Sequence, residues 1–187
     1  IHRDAFTLRR QLVERDLANP EYLGDLSSTI NNVGVILARN NRRDQALHMF
    51  RLAQQYGDAA FGRAPYSMLY GRYAAIMRRN VALRAAGQNL QEEAVSAYQA
   101  VVDAWNLLAI HNPGVAKYKS ERYRAYQELA GYQRQIDQLD EAAATLRQAR
   151  QSVENLPQET ASDLVDLAKV YAALAHSRVT EQQAMAR

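Results

Sequence analysis

The chain has 187 residues, ordinary apolar content and a formal net charge of +3, enough for one domain with a real core. Cysteine is absent, which excludes disulfides, thiolate metal sites and a cysteine nucleophile and fits a reducing compartment. Gly and Pro are few while Ala, Leu, Gln, Arg and Glu are plentiful, a helix-forming composition with no alternating β-branched runs. No signal peptide, membrane-length apolar run or N-x-Ser/Thr sequon occurs, and the chain begins at Ile1 rather than Met. The expectation is a cytoplasmic piece of a longer parent chain, which itself could be membrane-anchored.

In chain order the pattern predicts about eight helices, over 2–18, 21–39, 43–57, 65–86, 90–110, 115–136, 139–155 and 159–178, with a frayed tail. The first, "AFTLRRQLVERDLANP", leads to Pro20. The second carries Ile30, Val33, Gly34 and Leu37 at i, i+3, i+4 and i+7, one apolar stripe. Gly34 interrupts that stripe at a propensity cost of roughly 1 kcal/mol. The third opens "DQALHMFRLA", and the following "GDAAFGRAP" (57–65) reads as a loop. The sixth places Tyr126, Leu129, Ala130 and Gln133 in the stripe of the second, and the eighth places Leu164, Leu167, Ala168 and Tyr171 there.

The third, fifth and seventh helices align without gaps as "DQALHMFRLA" (44–53), "EEAVSAYQAV" (92–101) and "DEAAATLRQA" (140–149). Ala46, Ala94 and Ala142 recur at a spacing of 48 residues, followed at +4 by Phe50, Tyr98 and Leu146 and at +7 by Ala53, Val101 and Ala149. Pro20, Pro65, Pro113 and Pro157 punctuate the same pattern, where helices should stop or start. The small residues mark where paired antiparallel helices approach closely, with Phe50 filling the groove beside Gly34 and Ala46. One such hairpin cannot bury its second face and stacks on the next. In the helix 65–86 the register is open. Gly87 matches Asn41 only with about two residues inserted before Ala94, and either Asn80 or Ala82 takes the small slot.

On Ile30, Val33, Gly34, Leu37, Ala46, Phe50 and Ala53 the chain resembles the tetratricopeptide repeat (TPR) family, over nearly its whole length. The usual unit of that family is about 34 residues, so the longer spacing implies lengthened helices. The long units also resemble arrays appended to bacterial serine/threonine protein kinases of the planctomycete type, although no kinase motif is present. The resemblance implies an all-α, right-handed TPR-like superhelix (an α-solenoid) in a single domain. Its parts would be 1–19, the second helix of a truncated unit; 20–64, 65–112 and 113–156, full units; and 157–187, a capping half-unit and tail.

No catalytic signature is evident. The four histidines lie in different units, without metal-ligand spacing, and no nucleophile or phosphate motif occurs. Glu92-Glu93 and Asp140-Glu141 suit helix N-termini better than an acid–base dyad. The eleven tyrosines, among them Tyr66, Tyr70 and Tyr73 on one helix and Tyr118, Tyr123, Tyr126 and Tyr132 on another, suit packing between hairpins, as does Trp105. Some of these rings would also suit a groove.

In TPR arrays the first helix of each unit lines the concave face. Carried over, that face holds Ser28, Asn31, Arg39, Arg124, Gln127, Arg134 and Lys169. Asn31 and Gln127 would pair the backbone of an extended peptide, and Arg39, Arg134 and Lys169 would meet carboxylates. The Lys–Asn clamp for a terminal carboxylate is incomplete, with Asn31 and Val35 at its places in the first unit. The expected function is a non-catalytic protein–protein interaction module for a protein or peptide partner, a regulatory or docking part of a larger signalling chain. It needs no cofactor, and self-association is open to it because truncated solenoids expose apolar ends. A helical-repeat RNA-binding module is the alternative, suggested by the arginine excess, although nucleic acid is not the expected partner because the charges are dispersed.

Overall fold

A computed structural model describes residues 2–153. Over that range the protein is all-α, with seven helices: α1 (His2–Arg15), α2 (Pro20–Arg39), α3 (Arg43–Arg63), α4 (Met68–Ala86), α5 (Gln91–His111), α6 (Ala116–Gln135) and α7 (Leu139–Val153). The eighth expected helix, and Lys169 with it, lies outside the described residues. The chain divides into two compact units, Ile1–His111 with α1 to α5, and a second that begins at Asn112 and contains α6 and α7.

Local chemistry sets the helix starts. Asn19 caps α2 by accepting from the backbone N–H of Glu21 at 2.9 Å, and Pro20 occupies the first turn, where it has no N–H to lose. The Ser67 Oγ accepts from the backbone N–H of Tyr70 at the start of α4. Helix α4 therefore begins at Met68 rather than 65, leaving Pro65 and Tyr66 outside it.

The turns between paired helices are built alike. Asn41, Asn89 and Asp137 hold φ of 58°, 58° and 65°. This is the left-handed region, which Asn and Asp tolerate better than other side-chain-bearing residues. The next N–H then reaches back over the helix end, from Arg42 to the Leu37 carbonyl at 2.9 Å, Leu90 to Ala85 at 3.0 Å and Gln138 to Gln133 at 2.8 Å. All three turns recur at the 48-residue spacing with nothing inserted. The counterpart of Asn41 is thus Asn89 and not Gly87, and the small slot of α4 falls to Ala82, which is fully buried.

In the first compact unit each helix packs on its predecessor, and α2 also touches α4. A Cβ at position 34 would lie 2.8 Å from Phe50 Cε1, so only glycine lets the buried Phe50 ring rest on α2. Leu23, Leu26 and Ile30 of α2 form one core with Val13, Ala53, Ala60 and Met77. In α1, Val13 is buried and Leu12 half-buried. Ser27 is fully buried and its Oγ donates to the Ala53 carbonyl at 2.7 Å.

Helix α3 continues through 57–63, where a loop was expected. Gly57 does not end it, because that glycine sits at a crossing. A Cβ there would lie 3.1 Å from Ser27 Oγ and 3.9 Å from Ala74 Cα. Ala60 and Phe61 beyond it are buried, so packing holds the extra turns helical. In the second unit, α6 pairs with α7 through a cluster of Ala130, Ala142 and Leu146, the counterparts of Gly34, Ala46 and Phe50.

Candidate partner-binding face

Helices α2 and α4 run side by side and parallel. A Cβ at Gly24 would meet Tyr70 at 2.9 Å and Tyr73 at 3.8 Å, and further along Asn80 Nδ2 donates to Asn31 Oδ1 at 2.6 Å. The offsets between these paired positions, 46 and 49 residues, are close to the repeat length.

Of the expected face residues, Ser28, Asn31 and Arg39 lie on α2, in the first unit, and Arg124, Gln127 and Arg134 lie on α6, in the second. Arg39, Arg124 and Arg134 are exposed, and Ser28, Asn31 and Gln127 are half-buried. The amides expected to meet an extended peptide have internal engagements. The Asn31 carbonyl accepts from Asn80, and Gln127 Nε2 donates to the Tyr123 hydroxyl at 2.9 Å. Arg124 pairs with Glu121 at 3.2 Å, one turn back on the same helix, an exposed pair worth little.

A helix over 65–86 was expected, but no face residue was assigned to it because its register was open. With no insertion, Arg79 stands at the place of Asn31, Ile76 at that of Ser28 and Leu83 at that of Val35. Leu69, Ile76 and Leu83 are 49%, 42% and 40% exposed, and their seven-residue spacing makes them one stripe. The recurring Asn41, Asn89 and Asp137 were the signal that would have set this register.

Arg78 takes the slot filled by Ile30 and Tyr126. Its Nε donates to Asp58 Oδ1 of α3 at 3.0 Å and its Nη1 to the Ala100 carbonyl of α5 at 2.9 Å. Burial pushes the Asp58 carboxyl above its ordinary value, and Arg78 and Gln54 offset part of that. Arg51 of α3 grips Glu93 of α5 with two bonds, 2.7 and 2.5 Å. This fork holds the Glu93 carboxyl below its usual range.

Tyr118, Tyr123, Tyr126, Tyr132 and Trp105 are buried, while Tyr66 is exposed and meets the His111 ring edge-on at 5.0 Å. Among the described residues there is no group of three or more potential metal ligands, and no helix long and apolar enough to cross a membrane.

No family model matches the chain, and no curated protein matches it. Among solved structures it is similar to BtubC (BKLC) from P. vanneervenii, at 14% identity and a TM-score of 0.41, over 97% of this chain and 84% of that one. So distant a likeness carries no functional argument.

Proposed function

We propose that the protein is a TPR-like helical-repeat module that binds a partner protein through the α2–α4 face of its first unit, with α6 of the second unit offering Gln127 and Arg134 as a surface of its own, and that it performs no catalysis. One observation carries this reading. The first helices α2 and α4 lie parallel at the repeat offset, and their shared outward face combines Leu69, Ile76 and Leu83 with Ser28, Asn31 and Arg39. Large exposed apolar side chains in a row on a polar surface suit recognition of another protein. The resemblance of the long units to arrays on bacterial serine/threonine kinases adds a setting, a regulatory or docking region of a larger signalling chain.

Quantitative capture from lysate tests the reading, with wild type set against a variant carrying Asn31→Ala, Gln127→Ala and Arg134→Ala. Helix content is checked by circular dichroism. A set of proteins retained by the wild type and lost by the variant supports it. Equal recovery of every protein places binding elsewhere. Retention on single-stranded RNA that falls steeply with salt would favour a nucleic-acid role instead.

A further inference from the structure

We infer that the α2–α4 face takes a short acidic amphipathic helix of a partner protein, rather than an extended segment. This rests on the interaction-module reading and names the partner's chemistry.

The face is a helix surface, so its own main chain is closed by internal bonds and offers nothing to a peptide backbone. An extended occupant would leave without partners those N–H and C=O groups it turns onto Leu69, Ile76 and Leu83. The side-chain amides at the centre, Asn31 and Asn80, are bonded to each other at 2.6 Å. A helical occupant carries its main-chain bonds within itself and presents only side chains. The stripe repeats every seven residues, two helical turns, which is the spacing at which a second helix laid alongside returns its own apolar residues to the contact.

The charge on α4 selects the occupant's flanks. Helix α4 has 19 residues and four arginines but no Asp or Glu. Arg78 points inward to Asp58, and the Arg84 guanidinium lies over the Phe50 ring, 5.9 Å from its centroid. Arg72 is exposed and stands one turn from both Leu69 and Ile76, on the side of the stripe away from α2. Arg39 is exposed in the last turn of α2, beyond Val35 and Leu83. Glu21 lies near Tyr70 at the other end, and Asp25 faces Arg9 of α1 at 3.5 Å. Carboxylates along one flank of an apolar stripe therefore meet Arg72, and at one end Arg39, while a basic helix would meet repulsion from both.

The test measures fluorescence anisotropy of labelled peptides on the whole chain. The probe is an acetylated, amidated peptide of about 18 residues, five turns, with Leu along one face and Glu on its flanks. Its controls are the same peptide with Lys for Glu, and the acidic peptide with two central prolines that prevent a helix. The acidic helix is expected to bind at least about tenfold more tightly than either control, a difference of about 1.4 kcal/mol. Arg72→Glu should weaken the acidic peptide and strengthen the basic one, and Ile76→Asp should abolish binding with helix content unchanged.

The inference is overturned if the proline peptide binds as well as its parent, which would mean an extended occupant. It is overturned equally if the basic peptide matches the acidic one, if Ile76→Asp binds as wild type does, if oligouridine binds more tightly than the acidic helix, or if the acidic helix does not bind at all. A dimer in sedimentation that Ile76→Asp dissociates would make a second copy the occupant and would also overturn it. If the acidic helix fails while the face variant still loses its proteins from lysate, the module reading stands and only the helical partner falls.

Discussion

Gly34 shows how one missing side chain is coupled to a fold. Its propensity cost is offset because the Phe50 ring lies where a Cβ would be, 2.8 Å from it. Gly34→Leu is expected to lower stability by roughly 1–3 kcal/mol through overpacking, measured by urea denaturation. A neutral result would mean that the ring moves aside freely. Gln133 offers the opposite case, a polar group in an apolar slot. It sits at the place of Leu37, is buried, and its Oε1 accepts from Thr145 Oγ1 of α7 at 2.8 Å. Thr145→Val removes the donor and leaves the acceptor dry, so a loss of about 1–3 kcal/mol is expected. The double variant Thr145→Val with Gln133→Leu should recover much of that loss, because neither polar group remains to be desolvated. Gln133 was visible as a stripe position in the sequence, whereas its partner, on the next helix, was not.

At the scale of elements the helix pair is the repeating object, and its turn is the most regular part. The turns at Asn41, Asn89 and Asp137 share the left-handed conformation and the same reach-back bond. Asn89→Val, a β-branched residue at positive φ, should cost about 1–2 kcal/mol, while Asn89→Gly should be near neutral or stabilising; denaturant midpoints decide. If both behave alike, the turn is not held where the structure places it. The helices themselves were legible from apolar spacing, and most ends fell within a few residues of expectation. The exception, α3, ran past Gly57 because that glycine serves a crossing with α2 and α4 rather than a helix end. Sequence marks glycine as a breaker, and only a neighbour can reverse that reading.

For the molecule as a whole, acid stability has two opposed contributions within the first unit. Glu93 is held below its ordinary value by Arg51, so its contribution is present above the unfolded pKa and is lost as pH falls through the folded one. Asp58 is raised by burial, so the folded state takes up its proton first and gains stability as pH falls through that raised value. Arg51→Gln is therefore expected to be less stable than wild type at neutral pH, with the gap closing on acidification. Against Asp58→Asn the wild type should instead gain as pH falls. Urea melts at a series of pH values separate the two, and parallel curves for wild type and both variants would rule out these roles. In a direct titration Arg78→Met should raise the Asp58 midpoint further, since the guanidinium lowers it.

The amino-acid sequence by itself determined the helical class, the 48-residue spacing and the small positions at which paired helices meet. Those features are local: a stripe at i, i+3, i+4 and i+7 and a turn a few residues long decide how one hairpin closes. The tertiary structure decided what lies between hairpins. It set Asn80 against Asn31, sent Arg78 to Asp58 and the Ala100 carbonyl, and left Leu69, Ile76 and Leu83 facing outward. These pairings join positions 20 or more residues apart, and which side chains meet depends on how neighbouring helices are aligned. Composition and periodicity along a single helix do not specify that alignment.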